Sequence, residues 1–310
     1  MTIGKVGIVG AGVMGSGIAQ VVAQAGVPTV LMEAIVDLDV VRDRLEGRLA
    51  KAVDSGRLEP QARDTVVANL AYTASLDDLM GCEFVLEAIV EEREAKKALF
   101  STLDERLGPE ALFASNTSTL SITTLAHATS EARRARFVGC HFFNPPVVMK
   151  LVEVVPTLET DPAVVEAVEA FLSQLGKTPI VVRDSRGFLV NRLLAPYLLD
   201  AVRLLERGLA TIADFDIAMR EAAGMPMGPF ELIDYIGIDV VHAMASNLYE
   251  EYRTEAFAPP EMLNRMLTLG FLGRKAGRGF YDYAAKPPTP NDEVVRGFKH
   301  SEAVATGPGS

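Results

Sequence analysis

Apolar positions along the first 180 residues switch repeatedly between strand-like runs and helical spacing. Lys5–Val9 is a short apolar, β-rich run that ends in Gly10, and over Gly15–Ala25 the residues Ile18, Val21, Val22 and Ala25 share one helical face. Thr29–Met32 is a second strand-like run closed by Glu33, so the three segments predict a βαβ unit. From Val36 to Gly56, Leu38, Val41, Leu45, Leu49 and Val53 recur every three or four positions. This spacing predicts a long amphipathic helix with Arg42, Arg44, Arg48 and Lys51 on its other face. A second short helix is expected after Pro60, and the pair reads as an insertion between strands. Strands are then predicted at Phe84–Ala88, Leu112–Ser115, Phe137–Phe142, Leu151–Val155 and Thr178–Val182, with helices over Glu92–Arg106 and Ala163–Leu175. Such alternation implies a mainly parallel sheet covered on both faces.

After Arg183 the strand-like runs cease. Phe188–Leu205 has the pattern of a long helix, Thr211 and Asp214 open another as a capping box, and "GMPMGP" (224–229) separates it from a third, Phe230–Ile236. The expected organisation is an α/β domain over 1–183 and an all-helical domain over 184–285. A proline-rich polar tail over 286–310 is expected to be mobile.

Length and charge narrow the function. At 310 residues, 49% hydrophobic and 23% charged, the chain is an ordinary two-domain globular protein. A net charge of −11 argues against nucleic acid or an anionic membrane surface as partner. Val6–Met32 carries no charge, but six glycines, Gln20, Gln24 and Pro28 interrupt it, which excludes a membrane span or signal peptide there. Cys82 and Cys140 make no disulfide framework and point to a reducing compartment; with no address visible, the cytoplasm is the default. The four histidines are scattered without ligand spacing, so no metal site is expected.

The glycines in the uncharged stretch carry the first chemistry. Gly10, Gly12 and Gly15, with Val13 and Met14 between the last two, form G-x-G-x-x-G directly after a strand and at the start of a helix. Such a turn brings backbone against a pyrophosphate at a helix N-terminus, which predicts a dinucleotide-binding, Rossmann-type domain. Glu33, closing the second strand, is placed to accept hydrogen bonds from ribose hydroxyls. A carboxylate there repels a 2′-phosphate, so the expected cofactor is NAD rather than NADP.

Two further residues are out of place for ordinary strands. His141 ends one apolar run and Glu153 interrupts the next, with Asn144–Pro145–Pro146 between them. If the runs are neighbouring strands, positions 141 and 153 are equidistant from residue 147 and can pair. Two readings stand: an acid–base histidine oriented by a carboxylate, or a structural His–Glu pair at a strand end. "SNTST" (115–119) follows a strand where ligand loops of open sheets lie, or simply caps a helix. Asn191, on the apolar pattern of "GFLVNRLL" (187–194), is either structural or reaches a cleft.

With these motifs in place, the chain resembles the short-chain L-3-hydroxyacyl-CoA dehydrogenases, above all their bacterial 3-hydroxybutyryl-CoA branch. The resemblance runs from Val6 to about Tyr283 through "GAGVMGSGIA" (10–19), "EAIVE" (87–91), "ASNTST" (114–119), "HFFNPP" (141–146), "KLVEVV" (150–155), "GFLVNRLL", "GMPMGPFELID" (224–234) and "GRGFYDY" (277–283). It implies that His141 is the general base, Glu153 its orienting partner, and Ser118 and Asn191 the holders of the reacting oxygen. It further implies that Glu91, Lys96 and Asn116 line the cofactor, and that the inserted helices flank an acyl-CoA thioester, with Ser55, Arg48 or Lys51 near its phosphates. A homodimer through the helical domain is carried over in the same way. The chain departs from the family at Thr119, where a second serine is common, and in its longer tail. The rival readings are the same chemistry on an acyl-carrier-protein thioester or a free hydroxy or sugar acid, and a non-catalytic NAD-binding protein.

Overall fold

The computed structural model describes residues 2–296, which fall into two compact units meeting at Phe188 and Leu189. The first contains β1 (Val6–Val9), α1 (Val13–Gln24), β2 (Thr29–Met32), α2 (Leu38–Asp54), α3 (Pro60–Asn69), β3 (Leu70–Thr73), β4 (Phe84–Glu87) and α4 (Arg93–Arg106). It continues with β5 (Leu112–Ser115), α5 (Ile122–Ala126), α6 (Glu131–Arg134), β6 (Phe137–Phe142), β7 (Leu151–Pro156), α7 (Pro162–Gln174) and β8 (Thr178–Val181). Eight strands form one sheet in the order β3-β2-β1-β4-β5-β6-β7-β8. All neighbours are parallel except β6 and β7.

Strand alternation divides the core between the two faces of the sheet. Ile8, Phe84, Leu86, Ala114, Val138 and Val152 pack with α1, α2 and α7 through Ile18, Leu45 and Phe171. Val9, Val85, Phe113, Phe137 and Val155 pack on the other face with Phe100 and Leu103 of α4 and Leu125 of α5. The short strands are buried on both faces, which is why their sequences are continuously apolar. From β1 the chain moves outward to β2 and β3, then returns to the other side of β1 at β4. Crossovers therefore diverge at the C-terminal ends of β1 and β4, leaving the crevice in which open α/β sheets bind ligands.

β3 is absent from the strands expected from the sequence. Its four residues follow α3 without a turn residue between, and Ala71 is exposed, so no apolar run marks it; pairing with β2 makes it a strand. The long helix expected from Phe188 begins at Val190, because Gly187 (φ +76°) and Phe188 (φ +47°) are left-handed.

The second unit holds α8 (Val190–Glu206), α9 (Ile212–Glu221), α10 (Pro229–Ile236), α11 (Ile238–Tyr252) and α12 (Glu261–Thr268) around Leu198, Val202, Phe230, Ile233, Val241 and Met262. It is not wholly helical: β9 (Tyr281–Asp282) pairs antiparallel with β10 (Thr289–Pro290). This corrects part of the tail expected from residue 286, since the chain through Arg296 is fastened down. Asn291 donates from Nδ2 to the Gly279 carbonyl (2.9 Å), and Val294, 1% exposed, joins the core beside Phe280. The remainder of that expectation, from residue 297, lies outside the described residues. No helix among the described residues is long and apolar enough to cross a membrane.

Val294→Ala is expected to destabilise the helical unit by roughly 1–3 kcal/mol through lost apolar burial and a small cavity. Urea unfolding checks this. An unchanged midpoint would mean that the segment contributes nothing in solution.

Candidate active site

In the one antiparallel pair of the sheet, His141 and Glu153 are direct cross-strand partners. Both are buried, at 4% and 0% exposure, and His141 Nδ1 lies 2.7 Å from Glu153 Oε2. An ionised carboxylate only accepts hydrogen bonds, so Nδ1 carries the hydrogen and a neutral ring presents Nε2 as a bare acceptor. Ser118 Oγ, 3.0 Å from Nε2, donates to it. The rings of Phe143 and Phe188 flank the imidazole, with centroids 4.6 and 5.5 Å from its own, and give it apolar walls.

Ser118 is held by the loop after β5. Glu91 Oε1 accepts from the Thr117 hydroxyl (2.5 Å), the N–H groups of Ser118 (2.9 Å) and Thr119 (3.0 Å), and the Thr119 hydroxyl (2.9 Å). Burial pushes the Glu91 carboxyl up, but Lys96, the Thr117 and Thr119 hydroxyls and the Ser118 N–H outweigh it and hold it below the usual carboxylate range. Thr119 thus supplies a hydroxyl to the cage, as a serine there would. Lys96, 1% exposed, points its Nζ between Glu91 Oε2 (3.2 Å) and Glu87 Oε1 (2.5 Å). Asn116 Oδ1 accepts the Phe142 N–H (2.9 Å) and so ties the loop to the strand that carries His141.

A second cluster surrounds the glycine turn. A Cβ on Gly15 would stand 1.8 Å from the Gly10 carbonyl oxygen, and one on Gly10 (φ +99°) would stand 2.7 Å from that of Ala88. Gly12 differs, since a Cβ there would meet no heavy atom within 4 Å. Its surface is open, and beyond it α1 begins at the exposed Val13 and half-buried Met14 with no side-chain cap on its N–H groups. This is room and charge for a pyrophosphate. Glu33 Oε2 accepts the Ala11 N–H (2.9 Å) and Oε1 that of Ile35 (2.9 Å). Burial raises its pKa, but these and two further backbone N–H groups outweigh it, so the carboxyl lies below its usual range and stays ionised at the turn.

The remaining sequence candidates are on α2 and α8. Arg48, Lys51 and Ser55 form an exposed row on α2 and its C-cap, where Ser55 Oγ accepts Arg57 Nε at 2.8 Å. Asn191 is half-buried in the first turn of α8, in the second unit. Sequence reasoning missed Glu87, 0% exposed at the end of β4. The signal was present: like Glu153, it is a carboxylate on an apolar run and needs a partner.

Both halves of the chain match family models. Residues 5–185 match "3-hydroxyacyl-CoA dehydrogenase, NAD binding domain", and residues 187–283 match "3-hydroxyacyl-CoA dehydrogenase, C-terminal domain". The chain belongs to the 3-hydroxyacyl-CoA dehydrogenase family. It is 43% identical over 282 residues to the 3-hydroxybutyryl-CoA dehydrogenase of Mycobacterium tuberculosis, covering 90% of this chain and 98% of that protein. It is 42% identical over 284 residues to the mitochondrial hydroxyacyl-coenzyme A dehydrogenase of Sus scrofa, covering 89% and 90%. The crystal structure of (S)-3-hydroxybutyryl-CoA dehydrogenase from Ralstonia eutropha superposes with a TM-score of 0.85 at 38% identity, over 92% of this chain and all of that one. As in other 3-hydroxyacyl-CoA dehydrogenases, the cofactor is NAD, which the open glycine turn, the uncapped α1 and the ionised Glu33 fit.

Two alanine substitutions in the turn should behave oppositely. Gly12→Ala should leave the melting temperature nearly unchanged while weakening NADH binding at least tenfold, because its methyl enters the open space. Gly15→Ala should disrupt the fold itself. Fluorescence titration with NADH alongside thermal melting separates the two outcomes.

Proposed function

We propose that this chain interconverts (S)-3-hydroxyacyl-CoA and 3-ketoacyl-CoA thioesters of short acyl chain, with 3-hydroxybutyryl-CoA and acetoacetyl-CoA as the preferred pair. One observation supports the chemistry above all: the line Glu153–His141–Ser118, in which the buried His141 turns an acceptor Nε2 toward the half-buried Ser118 hydroxyl. In the oxidative direction His141 Nε2 accepts the proton of the 3-hydroxyl. Glu153 holds the ring through Nδ1 and stabilises the imidazolium that forms. Ser118 turns its hydroxyl toward the substrate oxygen, and in reduction His141 returns the proton. NAD supplies the acceptor for the hydride leaving C3.

The other assignments belong to the same proposal. Asn191 helps Ser118 hold the reacting oxygen, and Glu91, Lys96 and Asn116 shape the nicotinamide side of the site. Arg48, Lys51 and Ser55, spaced three and four residues apart on one face of α2, meet the phosphates of CoA. Exposed apolar side chains of the helical unit, among them Leu193 and Leu209, support a homodimer through that unit. A cytoplasmic location rests on the two free, buried cysteines.

NADH oxidation with a panel of acetoacetyl-CoA, longer 3-ketoacyl-CoA esters, carrier-protein thioesters and free keto acids tests the substrate class. Acetoacetyl-CoA is expected to give the highest kcat/KM, and a preference for the carrier protein or a free acid would overturn the assignment. His141→Gln should preserve fold and NADH binding while lowering turnover by roughly 10²–10⁴-fold. Glu153→Gln should also lower it, and the two losses should not add, because Glu153 acts through the imidazole. Single-turnover rates alongside melting curves check both. NADH should bind far more tightly than NADPH, and Glu33→Ala should narrow that gap; equal binding by the unmodified protein would refute the role of Glu33.

A further inference from the structure

Glu87 and Lys96 are among the most deeply buried charged groups of the first unit, at 0% and 1% exposure, and the proton chemistry at His141 makes no use of them. Removing such a pair from water is costly, and its contribution to stability alone is weak grounds for it. Its neighbours give it another role. Glu87 stands opposite Ser115 in the β4–β5 register, at the C-terminal strand ends where the crevice opens. Its Oε1 accepts Lys96 Nζ (2.5 Å) and the Ile89 N–H (2.7 Å), and its Oε2 accepts the Ser115 hydroxyl (2.6 Å).

Two routes lead from this carboxylate to the same loop. Through Lys96, shared with Glu91 Oε2, it anchors the carboxylate whose Oε1 gathers Thr117, Ser118 and Thr119. Through Ser115, whose Oγ accepts the Thr117 N–H (3.2 Å), it fixes the start of that loop. Both routes converge on Ser118, whose hydroxyl meets His141 Nε2. Without the Glu87 charge, Lys96 would pair with Glu91 alone and draw its carboxylate inward, away from the loop.

We propose that Glu87 is a positioning residue for the reaction, which through Lys96–Glu91 and through Ser115 fixes the 115–119 loop and so presents Ser118 to His141. This inference rests on the dehydrogenase reading above, and the test carries one arm that needs no turnover. In Glu87→Gln, hydrogen exchange at the Ser118 and Thr119 amides should accelerate at least tenfold, while β5 amides keep their protection. kcat for acetoacetyl-CoA reduction should fall by roughly 10- to 100-fold, the scale of loss when a reacting geometry shifts by about an ångström. In a Ser118→Ala background the same substitution should cost less than about threefold, because the group it positions is gone.

Should Glu87→Gln fail to fold with Lys96 unpaired, Glu87→Gln/Lys96→Met leaves the buried charges removed together and is expected to show the same loop exchange and loss of kcat. A purely structural role would lower the melting temperature but leave exchange at residues 118 and 119 unchanged, and its loss of kcat would multiply undiminished with that of Ser118→Ala; either result overturns the proposal. An unmodified protein inactive on every thioester would refute the dehydrogenase reading, while the exchange arm would still decide whether Glu87 holds the loop.

Discussion

The site depends on one reversal of strand direction. Six of the eight strands are joined by parallel pairings alone, but β7, with β8 parallel beside it, runs back along β6 and brings Glu153 opposite His141. A carboxylate at 0% exposure must receive donors from the chain, and the imidazole Nδ1 is one of them here. That single hydrogen bond selects the tautomer, leaves Nε2 free to accept, and orients it toward Ser118. A register slip of one residue would turn Glu153 to the other face of the sheet and break its bond to His141.

The same constraint recurs on the same face. Residues 87, 115, 141 and 153 share strand parity with Val85, Phe113, Phe137 and Val155, the residues that pack against α4 and α5. Each polar side chain replaces an apolar one at the C-terminal end of its strand or within the antiparallel pair. The core under α4 therefore passes continuously into the polar network of the site, and Lys96, one turn before Phe100, is delivered to Glu87 by the helix that buries that core. Stability of the α/β unit and geometry of the reacting groups are in this sense one packing arrangement.

The glycine turn couples to that arrangement at two points. Gly10 is pressed against Ala88, the residue after Glu87, and Gly17 of α1 leaves room for Pro146 of the β6–β7 connection, whose ring carbons would lie 3.0 Å from a Cβ there. The Asn144–Pro145 bond beside it is cis. The helix that follows the glycine turn is thus seated against the connection that follows His141. Gly12 stands apart, since no protein neighbour requires it to be small.

Local patterning determined most of the first unit: continuous apolar runs for doubly buried strands, helical spacing for α1, α2, α4 and α7, and the glycine turn with its terminal Glu33. Those features are legible because each depends on residues adjacent in sequence. Equidistance from residue 147 allowed His141 and Glu153 to meet, and the antiparallel register with its 2.7 Å bond is what brings them together. β3 and the β9–β10 ladder were invisible because a strand of two to four residues owes its form to its partner rather than to its own pattern. Only tertiary structure decided that Lys96 lies between two carboxylates and that Glu87 reaches the Ser118 loop by two routes. Those partners lie on different strands, helices and loops, and a buried charge in a sequence announces that it needs a partner without saying which one the fold will supply.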